Sequence, residues 1–332
     1  MLRANHAVRL GLRSASRNPE LAFGKGLLDA LGTALSALPW ALAAMLVAAA
    51  LDRSDAARAL VAAARAAFSM RWAIAGGVLA AALLSWTLGM AFWSGALPVL
   101  AADAELGRRP PPGHFWPLAL RGFPRVAAAG AAGYGLSLLF DLALVAGTVA
   151  ALPAFLLRPG AGRLAALALL LSAGIVGGLL IELLVRLVLV RAAAFGDGAT
   201  AAFAHAAALL ARRLGACLVI VLAFGLLQLV VATLAGLFTG LAWTGFDPAA
   251  HIVAVPARLA VGLAFGVVFA WIEVARHGAL AALAADAEGL IETPPEPPPP
   301  APVPTVLERP EPVIEALPVI DALPAPPEDE EK

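Results

Sequence analysis

The sequence predicts an all-α polytopic membrane protein, with six transmembrane helices built as three two-helix pseudo-repeats and a disordered C-terminal tail. Three observations carry this. Of the 332 residues 61% are hydrophobic and the mean hydropathy is +0.87, more apolar surface than a water-soluble domain can bury. The apolar residues gather into runs that exceed the ~20 residues needed to cross a bilayer. Charge is also segregated. From Asp286 onward there are 12 acidic and 2 basic residues, whereas the chain before it holds 11 acidic and 21 basic. The net charge of zero conceals a basic membrane body and an acidic tail.

Residues 1–26 read as a basic amphipathic segment. Arg9, Arg13 and Arg17 recur every four residues, one stripe on a helix, and Val8, Leu10 and Leu12 supply apolar contact suited to an interface. No short apolar region here ends in a small-residue cleavage site, so the first span is expected to serve as an uncleaved anchor. Asn18-Pro19-Glu20 reads as a helix start, with an Asn N-cap, Pro at the first helical position and an acid near the positive end of the dipole. The transmembrane domain covers 27–285, with spans at about 27–51, 72–100, 126–152, 164–190, 215–243 and 258–283. Asp247-Pro248 marks another helix start before span six.

Lys and Arg set the orientation. Segments 1–26, 101–125 and 191–214 carry five, four and three of them; segments 52–71, 153–163 and 244–257 carry four, two and none. Twelve against six places both termini on the cytoplasmic side of the membrane. Segment 52–71, with Arg53, Arg58, Arg65 and Arg71, then reads as an interfacial amphipathic helix on the other side. The basic loop residues Arg108, Arg109, Arg121, Arg125, Arg212 and Arg213 suit anionic lipid headgroups, but the favoured reading is that they enforce this topology.

Internal repetition supports the three-unit plan. ALPVLAADAELG (Ala96–Gly107) and ALAALAADAEGL (Ala279–Leu290) both close an even-numbered span, and span four ends in the looser VLVRAAAFGDG. GHFWPLALRGFPR precedes span three and TAAFAHAAALLARRLG precedes span five, each short, basic and amphipathic. One unit is therefore an inner amphipathic helix, a span out and a span back.

Residues 286–332 differ in kind. PPEPPPPAPVP favours polyproline II and cannot build a core. It is followed by PVIEALPVIDALP, a six-residue tandem repeat. Its apolar side chains Val313, Ile314, Leu317, Val319, Ile320 and Leu323 are candidate docking residues for a cytoplasmic protein, with two copies raising the effective concentration.

Polar groups inside the spans are few, and each is expensive in lipid. Asp141 lies near the middle of span three and Gln228 near the middle of span five. Glu182 and Arg186 stand four apart on span four; Glu273 on span six is followed by Arg276 and His277. LLIELLVR and AWIEVARH share an Ile-Glu pair ahead of a basic residue, and the two glutamates lie ~10–15 Å from the inner surface. These residues form a candidate intramembrane polar site between spans three, four and six. The competing reading pairs each Glu with its own Arg as structural glue. Asp141 has no basic residue within a turn and needs a partner from elsewhere or a wet cavity. Gly174/Gly178, Gly236/Gly240 and Gly262/Gly266 are GxxxG pairs that favour close packing of spans four to six.

Catalytic signatures are missing: no H-E-x-x-H, Cys pair, P-loop or G-x-S-x-G occurs. Cys217 stands alone, and the five histidines are scattered among separate segments, so no metal and no other cofactor is expected. The partners are the lipid bilayer and, through the tail, a cytoplasmic protein. Nothing points to nucleic acid, and the oligomeric state is open.

The six-span layout with entries such as HFWPLALRGFPR and AAFAHAAALLARR resembles a group of uncharacterised bacterial integral membrane proteins. Over roughly residues 1–285 it also resembles the membrane domain preceding the catalytic domain of some glycerophosphodiester phosphodiesterases. No soluble phosphodiesterase domain is expected in these 332 residues, so no catalytic residue is carried over. The resemblance implies an inner-membrane protein accessory to envelope or lipid processes. Three functions follow in order: a scaffold or accessory protein whose tail recruits a partner, a small transporter or lipid-handling permease using the intramembrane site, and a membrane enzyme.

Overall fold

The computed structural model describes residues 2–51, 61, 65, 68–107, 113–157, 161–241 and 248–291. Among the described residues there are seven delimited α-helices and no strand. They are α1 (Ala4–Arg17), α2 (Pro19–Leu51), α3 (Arg71–Leu106), α4 (Phe115–Leu157), α5 (Ala161–Ala194), α6 (Ala199–Leu241) and α7 (Pro248–Ala287). Five stretches are long and apolar enough to cross a membrane: Arg71–Leu106, Phe115–Ala150, Leu167–Ala194, Ala199–Phe238 and Leu259–Ala287. They coincide with expected spans two to six, and the chain reads as a multi-pass membrane protein. Expected span one falls on the 33-residue α2, most of whose side chains beyond Ala37 lie outside the described residues. Most of segment 52–71 lies outside them as well, as do residues 292–332, which hold all of the candidate docking side chains of the tail.

Local chemistry sets the helix ends. Pro19 and Pro248 each open a helix, where the N–H that proline lacks would have no partner anyway. Asn18 does not cap α2 with its side-chain oxygen. It closes α1 instead: its backbone N–H and its Nδ2 both donate to the Ser14 carbonyl, at 3.1 and 2.9 Å. The stretch before span three is not a separate helix; it runs into its span as the 43-residue α4. The corresponding stretch in α6 is set off by a kink at Arg213 (φ −130°, ψ 31°).

The helices pack tightly at the end where α3, α5 and α7 terminate. Leu97, Leu100, Leu187, Ile220, Leu280 and Leu283 are there without exposure. Toward the other end Leu138, Val145, Leu169, Ile175, Leu229 and Leu259 are 60–75% exposed. Apolar exposure this continuous belongs against lipid.

α1 packs inside this body. Its face of Ala7, Gly11, Ser14 and Ala15 is buried, with Arg9 and Arg13 exposed on the other side. A Cβ on Gly11 would lie 2.7 Å from the Ala279 nitrogen and closer still to the Ala275 carbonyl oxygen, so α1 crosses α7 almost backbone to backbone. Among the described glycines of the GxxxG pairs, those in α5 meet Leu144 and Phe140 of α4, whereas Gly236, Gly262 and Gly266 have nothing within 4 Å of an added Cβ.

Three arginines fasten the packed end. Arg17, last residue of α1, bonds Asp103 (3.4 Å) and the Gly107 carbonyl (2.6 Å) at the end of α3. Arg125 donates to the Gly196 carbonyl at the end of α5 (2.8 Å). Arg213 pairs with Asp286 at the end of α7, whose carboxylate also accepts from the Leu2 N–H (2.9 Å). Each of those helices is followed by a glycine in the left-handed region, Gly107 (φ 62°), Gly196 (φ 75°) and Gly289 (φ 75°), the conformation that lets the chain leave a helix.

Candidate functional site

Three helices each turn a polar stripe toward one cleft. On α4 the stripe is Tyr134, Ser137 and Asp141, three and four residues apart; on α5 it is Gly178, Glu182 and Arg186; on α7 it is Glu273 and His277. The cleft has a volume of about 200 Å³ and is partly open. Trp93 of α3 forms its floor, with its ring centroid 3.9 Å from that of His277. The helical repeat thus produces a polar chamber from spans that are otherwise apolar.

The ion pairs cross between helices. Arg186 Nε and Nη2 donate to Glu182 Oε1 at 2.9 and 2.7 Å, the expected pair within one helix. Its Nη1 lies 3.5 Å from Glu273 Oε1 and 3.2 Å from His277 Nε2. Arg276 serves Glu182 of α5 (3.2 Å) and not the glutamate on its own helix. The main partner of Glu273 is Lys25 of α2, at 2.9 Å, and Lys25 also holds Asp29 at 2.5 and 2.7 Å. Arginine can only donate and a backbone carbonyl can only accept. His277, between Arg186 Nη1 and the Glu273 carbonyl (2.9 Å from Nδ1), is therefore the neutral Nδ1–H tautomer.

The structure brings some of the candidate residues together and leaves others apart. Asp141, Glu182, Arg186, Glu273 and His277 line the same cleft, and Arg276 supports it from behind. Gln228, on α6, does not line it. Pairing each glutamate with its own arginine holds for Glu182 and fails for Glu273. Among the described residues Asp141 has no ion pair or hydrogen-bond partner. Counting Lys25, Arg186 and Arg276 against Asp29, Asp141, Glu182 and Glu273, three cations face four carboxylates. Asp141 is the surplus charge. Among the described residues no His, Cys, Asp and Glu groups gather closely enough to hold a metal ion.

Sequence reading missed Lys25, Asp29, Trp93, Tyr134, Ser137 and Phe140. A signal for the first two was present. Lys25 is the only lysine before the C-terminal residue, and Asp29 is the only acid between it and Asp52, one helical turn away. The aromatic residues carried none, because an aromatic in a membrane helix usually faces lipid or core.

A second polar cluster centres on Asp197, in the turn between α5 and α6. Arg191 bonds Asp197 (2.7 Å) and Glu288 (2.5 Å), and His205 Nδ1 lies 2.9 Å from Asp197. Partial burial of Asp197 opposes its ionisation, but the hydrogen bonds from His205 and Arg191 outweigh this and hold its carboxyl below the usual carboxylate range. No family model matches the chain, and neither does any curated protein or solved structure.

Proposed function

We propose that this membrane protein is a small permease that admits a polar solute to the cleft between α4, α5 and α7. One observation carries the reading: polar side chains from three separate spanning helices converge on an open chamber that contains an unpaired carboxylate. A helix bundle that served only as a scaffold would gain nothing from Asp141, whose charge is costly in lipid and has no partner to offset it. The remaining charges hold the chamber in shape. Glu182 and Glu273 each take cations from two helices, which fixes the relative positions of α2, α5 and α7.

The permease is assembled from three copies of one unit, each an entry helix, a span out and a span back, giving six spans. Supporting this is the recurrence of one contact: the last arginine of each entry stretch, Arg17, Arg125 or Arg213, reaches the end of the span-back helix of the same unit. A second contact recurs between units. Gly95 lies against Phe115 and Ala119 of the next entry stretch, and Gly278 lies against Gly11 and Ser14 of the first. The excess of Lys and Arg supports an orientation with the packed end and both termini on the cytoplasmic side, and the resemblance to bacterial integral membrane proteins implies an inner membrane. The tail remains a candidate site for recruiting a cytoplasmic protein; replacing both Val-Ile pairs by Ser-Ser removes co-purification of that protein if it docks there.

Cysteine accessibility tests the permease. Ser137→Cys is made with Cys217→Ala, and sealed vesicles of both orientations are treated with a membrane-impermeant methanethiosulfonate. A permease cleft is labelled from both faces, while Leu138→Cys, 60% exposed on the lipid side, is not labelled. Labelling of Ser137→Cys from one face only, or from neither, overturns the reading.

A further inference from the structure

We infer that the solute taken by this cleft is a small methylated ammonium ion of about the size of choline, an inference that rests on the permease reading of the same site. The charge argument comes first. Three acidic side chains line the cleft, Asp141, Glu182 and Glu273, against one guanidinium, Arg186. The guanidinium of Arg186 is already engaged, with Nε and Nη2 on Glu182 and Nη1 between Glu273 and His277. Lys25 and Arg276 approach the same carboxylates but do not line the cleft. An anionic solute would meet no unspent cation and one bare carboxylate. A cation neutralises Asp141 and completes the balance.

The walls then select among cations. Tyr134 is half exposed and stands on the same stripe of α4 as Asp141. Phe140 lines the cleft beside them and is seated over Gly177, where an added Cβ would lie 2.6 Å from its ring. Trp93 is already used: His277 stacks on it and the Lys25 ammonium lies 5.9 Å from its centroid. The faces offered to a solute are therefore those of Tyr134 and Phe140. A quaternary ammonium has no N–H to donate and is recognised through aromatic faces and a nearby negative charge. A bare metal ion needs a closer set of oxygen ligands than these carboxylates supply. The volume of about 200 Å³ admits a head of choline size and excludes a whole phospholipid.

The test is equilibrium binding of radiolabelled choline to the purified full-length protein in detergent, with tetramethylammonium as competitor and acetate as control. The expected result is saturable binding that tetramethylammonium displaces and acetate does not. Asp141→Asn, which removes the coulombic attraction, should weaken it by at least about tenfold and Tyr134→Leu by about fivefold. Gly177→Ala, which pushes on the Phe140 ring and alters no charge, should weaken it as well. Each variant is compared at equal thermal stability, and Tyr134→Leu guards against misfolding of the charge variant. Absence of saturable choline binding, or unchanged binding in both Asp141→Asn and Tyr134→Leu, overturns the inference. If Ser137→Cys is then still labelled from both membrane faces, the permease reading survives and only the solute class is wrong.

Discussion

Replacing Gly11 by alanine should lower the stability of the protein, although alanine is the better helix former. The substituted Cβ would sit 2.7 Å from the Ala279 nitrogen and 2.8 Å from its Cβ, and nearer still to the Ala275 carbonyl oxygen. Two of these are backbone atoms of α7, which no rotamer change can move. An ordinary carbon contact is about 3.5–4.0 Å, so α1 and α7 must part by roughly 1 Å along their crossing. Overpacking of this kind costs about 1–3 kcal/mol, against a helix-propensity gain of about 0.5–1 kcal/mol. At about 2–4 °C per kcal/mol for a domain of this size, the apparent Tm falls by several degrees. Gly76→Ala in α3 is the matched control, since nothing lies within 4 Å of the added Cβ; there the propensity gain stands alone and Tm should rise slightly. The assay is the fraction of detergent-solubilised protein that stays monodisperse on size exclusion after heating. A Gly11→Ala protein as stable as Gly76→Ala would refute the close crossing.

Other outcomes follow from the same geometry. Lys25→Met strands Glu273 with Arg186 alone and should cost roughly 3 kcal/mol; adding Glu273→Gln should restore most of it, and failure of that rescue would argue against the cross-helix pair. Arg213→Ala leaves the Asp286 carboxylate, 5% exposed, without its cation, whereas Arg125→Ala removes a bond to a neutral carbonyl. The first should destabilise the protein more than the second, and a reversed order in thermal unfolding would count against the clamps as drawn. Because the folded carboxyl of Asp197 titrates below its ordinary value of 3.8, its stabilising contribution is fully present above pH ~4 and is lost as pH falls through the lower folded value. The stability gap between wild type and Asp197→Asn should therefore be widest near neutrality and narrow toward pH 3; a gap that widens in acid would contradict it.

The helices were legible because lipid demands long apolar runs, and those runs dominate this sequence. Boundaries were less so. The stretch before span three reads as a separate helix but runs straight into its span, whereas the one before span five is set off at Arg213, which departs from helical geometry and reaches Asp286. The site was half legible. Intramembrane charges are conspicuous, so Asp141, Glu182 and Glu273 could be named, but which cation each meets depends on how helices rotate about their axes. That rotation is set by contacts such as Phe140 on Gly177, which spacing along one helix does not encode. Lys25 was passed over because it stands just ahead of the first apolar run, and a basic residue there normally marks only the membrane boundary. Asn18 looked like an N-cap by residue type; the neighbouring Ser14 carbonyl claimed its amide instead.

The meeting of α1 with α7 has a bearing on how the chain is made. Leu2 bonds Asp286 across 284 residues of sequence, so the first helix finds its seat only when the last has been synthesised. At translation rates of about 5–20 residues per second that interval is roughly 15–60 s. During it the contact face of α1 is exposed, and that face is Ala7, Gly11, Ser14 and Ala15, side chains with too little apolar area to bind strongly to a wrong partner. A face of leucines could not make so close a crossing and would be a liability throughout the wait. The small residues that permit the close crossing in the finished protein therefore also keep its earliest segment uncommitted while the rest of the bundle is built.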